Sequence, residues 1–168
     1  MNIEVIINLI ATLGVIVSVV FLGFQIRKST QFTKANYYDS LAKSNASFLS
    51  QLIQDQKLAK LFEDAVKDWN SLSKDDKRTS NFLFIQIFRM WENMFFQNRM
   101  KILDHRNWKQ HENTIISYFN YPGVQQWWQF RRQTFSEEFI KFLESSKEPK
   151  KPIIVIDDIV ESDLENKI

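Results

Sequence analysis

The chain has 168 residues, of which 44% are hydrophobic and 14% aromatic, and its formal net charge is +2. It contains no cysteine, which excludes disulfides, thiolate zinc sites and a cysteine nucleophile. Its two histidines, His105 and His111, are six residues apart, whereas metal ligands on one helix face need spacings of three or four, so we expect neither a metal nor a cofactor.

Residues 5–26, VIINLIATLGVIVSVVFLGFQI, form an apolar run that no charged residue interrupts. A helix of that length reaches about 33 Å, enough to cross a hydrocarbon core of about 30 Å. A cleaved signal peptide would carry positive charge before the apolar run and a small-x-small cleavage site after it. Here Glu4 precedes the run and no such site is evident. The sequence therefore predicts a retained transmembrane anchor over residues 1–28.

Three basic residues, Arg27, Lys28 and Lys34, follow the apolar run. Because cationic flanks of a membrane helix stay in the cytoplasm, we expect the N-terminus outside and the C-terminal domain in the cytoplasm. The expected location is the bacterial inner (cytoplasmic) membrane, and the lipid bilayer is the first expected partner.

Two small residues within the apolar run, Gly14 and Ser18, are four positions apart, with Ala11 nearby. A small-xxx-small pair lets two membrane helices approach closely, and the spacing therefore predicts a homo-oligomer. The alternative is that these residues have no such role, because small residues are common in membrane helices.

Apolar residues recur at steps of three and four through most of the remaining chain, as in amphipathic helices. They predict an all-α fold, in which the anchor is followed by a cytoplasmic bundle of about five helices over residues 29–145. The first helix continues from the anchor without a breaker. The others are expected at residues 58–69 and 81–103, from an N-cap at Asp104 to Phe119, from Pro122, and after an N-cap at Ser136. Residues 70–80 are expected to be a loop, the end of which is compatible with a helix start.

The segment 81–103 is apolar on most sides, which is typical of the central helix of a bundle. Glu92 is the exception, and burial of an unpaired carboxylate is costly. We expect Glu92 to form a structural ion pair with Arg89 one turn back or with a basic residue on another helix. The alternative is a catalytic acid, because buried carboxylates with perturbed pKa values cluster at functional sites.

Residues 146–168 are predicted to be a linker and a flexible, disordered acidic tail. From Ile153 onward five acids stand against one lysine, which gives this segment a net charge of −4 and leaves +6 for the rest. Its first residues, IIVID, are compatible with a short strand. An apolar run that leads into acids is also typical of a docking peptide, so a protein partner bound through the tail is the alternative to a solvated tail.

Two patterns occur together in the chain: an apolar span ending in Q-I-R-x-x-T, and later P-G-x-x-x-W-W-x-x-R-x-x-x-F-S-x-x-F. They fall on Gln25, Ile26, Arg27 and Thr30, and on Pro122, Gly123, Trp127, Trp128, Arg131, Phe135, Ser136 and Phe139. Over about residues 10–145 the chain thereby resembles a widespread family of small, uncharacterised bacterial proteins with an N-terminal anchor. The resemblance implies an anchored helical protein and brings no established activity.

The stretch RNWKQH, residues 106–111, has the spacing R-N-x-x-x-H. It is similar to the motif of HEPN ribonucleases, in which arginine binds the scissile phosphate and histidine does general acid/base work without a metal. The resemblance implies these roles for Arg106 and His111, with Asn107 as support. The chemistry is sound, because histidine titrates near neutrality and a guanidinium stabilises the charge that develops on phosphate.

The layout of anchor, helical bundle and R-x-x-x-x-H spacing also resembles the small membrane accessory proteins of type VI-B CRISPR systems. That resemblance implies an oligomeric, pore-like membrane assembly with a divergent HEPN-like domain. It also implies a role in bacterial defence.

The same motif has a purely structural interpretation. On a helix, His111 lies three residues after Trp108 on the apolar face and would then be a core histidine. Arg106 would lie in the first turn and pair with Asp104 or Glu92.

The group Trp127, Trp128, Arg131 and Arg132 also has two interpretations. It suits a base-stacking platform with phosphate contacts. It equally suits a packing corner or a contact with lipid headgroups, with one tryptophan in the core and the other at an interface, because adjacent helical side chains point about 100° apart.

The sequence favours a non-enzymatic function: a single-pass membrane protein that acts as an oligomeric scaffold or pore-like accessory, with bacterial defence as its expected setting. The alternative is a membrane-tethered, metal-independent HEPN-like ribonuclease that uses Arg106 and His111, for which RNA would be the substrate. The residues do not decide between these two classes.

Overall fold

A computed structural model describes residues 2–147 and residue 153. The described residues form six α-helices and two short 3-10 helices, and they contain no strand. The α-helices are α1 (Ile3–Gln54), α2 (Gln56–Lys67), α3 (Lys74–Arg99), α4 (His105–Phe119), α5 (Pro122–Arg131) and α6 (Glu137–Ser145), and the 3-10 helices are Trp69–Ser71 and Arg132–Thr134. The predicted all-α fold, with one long apolar N-terminal helix and a bundle of about five helices, is confirmed.

The contacts divide the chain into two compact units, Met1–Ala42 and Lys43–Ile168. The predicted boundary at residue 28 stays a prediction, because it marks the end of the membrane-spanning segment and not a division between packed units. Residue 153 belongs to no regular element, and the rest of the predicted strand, like the predicted disorder of the acidic tail, lies outside the described residues.

In the first unit, helix α1 carries the apolar run. Residues 2–33 are all exposed, and their large side chains, such as Leu13, Ile16 and Phe21, are more than half exposed. The helix is long and apolar enough to cross a membrane, and none of its most apolar window is buried. A core helix of a water-soluble protein would have most of this surface covered.

In the second unit, local signals begin most helices where the sequence places them. The Asp104 carboxylate accepts a hydrogen bond from the Arg106 backbone N–H at 2.9 Å, which caps α4. Pro122 occupies the first turn of α5, where its missing N–H costs nothing. The Ser136 hydroxyl accepts from the Phe139 N–H at 3.4 Å at the start of α6. These three predicted helix starts are confirmed.

Helix α3 begins at Lys74, so the segment 70–80 does end in a helix start, but the helix already covers its last seven residues. The Ser73 hydroxyl caps the helix by accepting from the Asp76 N–H at 3.2 Å. The first turns of α3 are polar because most of their side chains face solvent, and that composition resembles a loop. A serine followed three residues later by an acid was the signal for a helix start.

The predicted end of the same helix, at residue 103, is wrong. Helix α3 ends at Arg99. Two residues later Lys101 has φ 59°, a left-handed conformation that commonly terminates helices and is usually taken by glycine. The chain then turns into α4, and Leu103 still reaches the core with 4% exposure.

The core of the second unit is built largely from aromatic rings. Phe84 and Phe88 of α3 contact Trp127 of α5 with centroid distances of 5.2 and 5.0 Å. Phe88 also contacts Trp128 at 5.6 Å, and Trp128 stacks on Phe135 at 5.2 Å. Such ring pairs add to the stability that burial alone supplies. Helix α3 is therefore the central helix that its apolar circumference predicted.

Gly123 sets the distance between α5 and α2. A Cβ atom at this position would overlap the carbonyl oxygen of Ala65, and it would lie 2.7 Å from the carbonyl oxygen of Val66 and 2.9 Å from the backbone nitrogen of Trp69. All three atoms belong to the backbone, so no side-chain rotation relieves the overlap. Only glycine allows α5 to pack this closely.

We predict that Gly123→Ala lowers the free energy of unfolding by about 3 kcal/mol, because the added methyl group forces α5 away from α2. Thermal or urea unfolding of the detergent-purified chain, followed by tryptophan fluorescence, measures the change. Gly23→Ala is the matched control, because a Cβ there meets nothing within 4 Å. Equal stabilities of the two variants would contradict the prediction.

Candidate functional site

The R-N-x-x-x-H residues all lie on α4. Arg106 and Asn107 are exposed in its first turn, and His111 is half-buried further along the helix. Trp108, between them, is buried with its ring 5.6 Å from that of Phe142. The structure therefore gives Arg106 a solvent-facing position and gives His111 a position at the edge of the core.

Within a single α4 helix, the side chains of Arg106 and His111 are not brought together by the helix geometry. Residues five apart on an α-helix are separated by about 140° around the axis and about 7.5 Å along it. The two side chains therefore leave the helix in different directions. A phosphate held by Arg106 would come within reach of His111 only through the length of the arginine side chain or through a second copy of the chain.

Burial lowers the pKa of His111 below its ordinary value of 6.5. The cause is desolvation, which penalises the charged imidazolium. A neutral imidazole near pH 7 is the form in which histidine accepts a proton as a general base. The same neutral form also suits a histidine that only packs against the core, so the pKa is compatible with both interpretations of the motif.

Glu92 is held in a polar network that ties α3 to the start of α6. Its carboxylate pairs with the Arg89 guanidinium at 2.6 Å and accepts the Ser136 backbone N–H at 2.8 Å. Arg89 also donates to the Thr134 carbonyl at 2.6 Å, and its guanidinium lies 4.7 Å from the centre of the Phe135 ring. The predicted ion pair with Arg89 is confirmed, and its partners are those of a structural carboxylate.

The two adjacent tryptophans of α5 are both core residues, with exposures of 0% for Trp127 and 1% for Trp128. The indole N–H of Trp127 donates to Asn81 at 3.2 Å, and that of Trp128 donates to Glu144 at 3.0 Å. The base-stacking interpretation is therefore wrong, and so is the expectation that one ring lies at an interface. Trp127 packs against rings of α3, whereas Trp128 packs against Phe119 of α4 and bonds to Glu144 of α6. Both tryptophans are therefore buried, although they point in different directions.

A basic aromatic groove lies beside these tryptophans, between the first half of α3 and the end of α5. It has a volume of about 430 Å³. Its lining includes three cationic side chains, two exposed phenylalanines and one amide: Lys77, Arg78, Arg131, Phe82, Phe130 and Asn81. We call this feature the Phe82–Phe130 groove.

Sequence reasoning missed this groove. Its two walls are about 50 residues apart in the chain, and the Asn81 side-chain oxygen joins them by accepting from Arg131 Nε at 2.9 Å. The usable signals were Phe82, on the polar start of α3, and Phe130, next to two arginines. Phe82 is 70% exposed and Phe130 is 64% exposed, which is unusual for phenylalanine.

Among the residues that the structure describes, no group of three or more His, Asp or Glu side chains is placed to hold a metal ion. No protein-family model, curated protein or solved structure matches the chain. The function of the chain is therefore inferred from its own geometry.

We predict that the free energy of unfolding falls as the pH drops below 6.5 and that His111 supplies part of this loss. The lowered pKa means that the unfolded chain binds a proton at His111 more readily than the folded chain. The contribution of His111 to the free energy of unfolding is therefore fully present above the pKa of the unfolded chain, about 6.5. It is lost as the pH falls from there through the pKa of the folded chain.

Urea unfolding at a series of pH values from about 7.5 to about 5 measures this effect, because that range spans the ordinary histidine pKa of about 6.5. His111→Gln should flatten the curve, because glutamine does not titrate. His105→Gln is the matched control, since His105 is exposed at the start of α4. A curve for His111→Gln that coincides with that of the wild type would contradict the assignment.

Proposed function

We propose that the chain is a single-pass membrane protein of the bacterial inner membrane that presents its helical bundle to the cytoplasm as a non-enzymatic scaffold. The observation that carries the proposal is that every residue from 2 to 33 is exposed, including the whole apolar run 5–26. Apolar surface in water costs about 25 cal/mol per Å². Nothing in the described chain covers this surface, and lipid is the environment that removes the cost.

The proposed orientation places the N-terminus outside and the bundle in the cytoplasm. Glu4 is the only charged residue before the apolar run, and Arg27 and Lys28 follow it directly. The positive-inside preference favours retention of this basic flank in the cytoplasm.

The scaffold is proposed to assemble through the membrane helix. A Cβ at Gly14 would meet nothing within 4 Å, so this small-residue face is open to a second helix. The Ser18 hydroxyl donates to the Gly14 carbonyl at 2.8 Å and therefore lies along its own helix. Small residues at such positions let two backbones approach and gain van der Waals contact in lipid.

The pore-like and defence aspects of the proposal rest on the resemblance to the accessory proteins of type VI-B CRISPR systems. An assembly of several anchored copies would place several helical bundles side by side at one membrane face. A pore-like role requires such an assembly, so self-association is the first property to test.

We predict that a cysteine at position 2 reacts from outside the cell and a cysteine at position 109 does not. The chain has no native cysteine, so Asn2→Cys and Lys109→Cys each carry one thiol, and both positions are exposed. A membrane-impermeant maleimide should label Asn2→Cys in intact spheroplasts and should label Lys109→Cys only after permeabilisation. Labelling of both positions only after permeabilisation would contradict the span, and the reverse pattern would contradict the orientation.

We predict that Gly14→Leu lowers the yield of cross-linked oligomers in membranes about tenfold, because loss of close helix packing costs on the order of 1 kcal/mol or more per contact. Gly23→Leu is the matched control. It adds the same side chain in open space, nine residues away and so about 180° around the helix, and should leave the yield unchanged. A wild-type chain that is monomeric in membranes and in detergent would contradict the assembly.

The alternative function is a membrane-tethered, metal-independent HEPN-like ribonuclease. The observation in its favour is that His111 is half-buried rather than sealed in the core, and its lowered pKa supplies the neutral base that the reaction needs. The second subunit that faces the first in HEPN ribonucleases would have to complete the site.

For the ribonuclease, RNA cleavage in the presence of EDTA should fall by a factor of about 100 or more in His111→Ala and in Arg106→Ala, because each removes a group that acts in the transition state. Lys109→Ala, on the same helix and exposed, should keep full activity. Circular dichroism shows whether each variant is folded. The scaffold proposal expects no RNA cleavage by the purified wild-type chain, so this assay separates the two functions.

A further inference from the structure

The Phe82–Phe130 groove offers a surface for an acidic, partly apolar peptide. Lys77, Arg78 and Arg131 place three positive charges around two exposed rings, and Phe82 and Phe130 supply the apolar contacts. Aromatic residues and arginine are the residue types enriched in protein–protein interfaces.

The cations of the groove have hydrogen-bonding capacity beyond their contacts within the bundle. Lys77 Nζ donates to the Asn70 carbonyl at 3.1 Å and Arg131 Nε donates to Asn81 at 2.9 Å. An ammonium has three donors and a guanidinium has five, so one bond each does not exhaust them. Arg78 pairs with Asp75 at 2.7 Å, and both side chains are more than 75% exposed, which makes this pair weak and exchangeable.

The last described residue before the acidic C-terminal segment, Ile153, is bonded at the opposite end of α5 from this groove. The backbone N–H of Ile153 donates to the Ser117 hydroxyl at 3.0 Å, and its carbonyl accepts from the Tyr121 hydroxyl at 3.1 Å. Both polar backbone groups of Ile153 are thus held by side chains at the end of α4 and the N-cap of α5. The position of Ile153 on the bundle is therefore defined.

The distance from this point to the groove suits the sequence of the segment. Tyr121 and Phe130 are nine residues apart, about 14 Å along α5 and about 180° around it, so the path also has to pass around a helix about 10 Å thick. Glu161 and Asp163 follow Ile153 by eight and ten residues, which an extended chain converts into a reach of about 26 to 36 Å. The acids thereby come within range of the cations at the end of α5.

We propose that residues 154–168 bind the Phe82–Phe130 groove of their own copy, with acidic side chains on its cations and aliphatic side chains on its rings. The charges match in sign, because the segment from Ile153 carries −4 and the groove presents three cations. A tether also raises the effective concentration of a neighbouring segment to the millimolar range, which favours this occupant over a separate partner. The inference does not depend on the membrane span.

The test is zero-length carbodiimide cross-linking of the full-length chain in detergent, followed by mass spectrometry of the cross-linked peptides. The reagent joins a lysine amine to a carboxylate only when the two are in contact. We expect Lys77 to be joined to Glu161 or Asp163, and we expect this product from a mixture of ¹⁵N-labelled and unlabelled copies to contain one isotope only. Products of mixed isotope would overturn binding within one copy.

Charge reversal in the groove tests the contact itself. Arg78→Glu with Arg131→Glu should lower the yield of the Lys77 cross-link about fivefold, because each exposed ion pair contributes up to about a factor of five. Lys109→Glu, an exposed reversal on α4 that does not line the groove, should leave the yield unchanged. An equal loss in both would mean that the attraction is only a general charge effect, and that result would overturn the assigned site.

Other occupants of the groove give a different result. If single-stranded RNA or an anionic membrane is its ligand, Lys77 will show no cross-link to the C-terminal segment. The double charge reversal would instead weaken binding of the chain to a short RNA or to phosphatidylserine vesicles. Either finding would overturn the proposal.

Discussion

The close contact of α5 with α2 at Gly123 is the constraint on which the second unit depends. Because no side chain separates the two backbones there, α5 lies deep enough for both Trp127 and Trp128 to be buried. These rings then contact α3 on one side and Phe119 of α4 on the other. A single missing methyl group thereby sets the packing of three other helices.

Apolar side chains have opposite positions in the two units. Aliphatic side chains from Ile3 to Ile26 are exposed, whereas aromatic side chains of α3 and α5 such as Phe84, Phe88 and Trp127 are buried against each other. This difference follows from partner availability, since the described part of the first unit offers no second helix to cover α1. It is the physical basis for the proposal that lipid or further copies of the chain cover it, and that the bundle works at a membrane surface.

The candidate sites differ in how far the sequence could reveal them. Arg106 and His111 lie on one helix, so their spacing was visible, but the half-burial of His111 depends on the elements that pack against α4. The Phe82–Phe130 groove was invisible, because it forms only when α3 and α5 meet and Asn81 bonds to Arg131. Residues 50 positions apart leave no periodic signal.

The sequence by itself determined the all-α class, the apolar N-terminal helix, and the helix starts at Asp104, Pro122 and Ser136. These features depend on side chains that act on backbone groups within one turn, or on composition alone. Only the tertiary structure decided that Trp128 is buried with Trp127 and that cations and rings from two helices share a groove. Such features depend on which surfaces meet, and that is set by contacts between residues far apart in the chain.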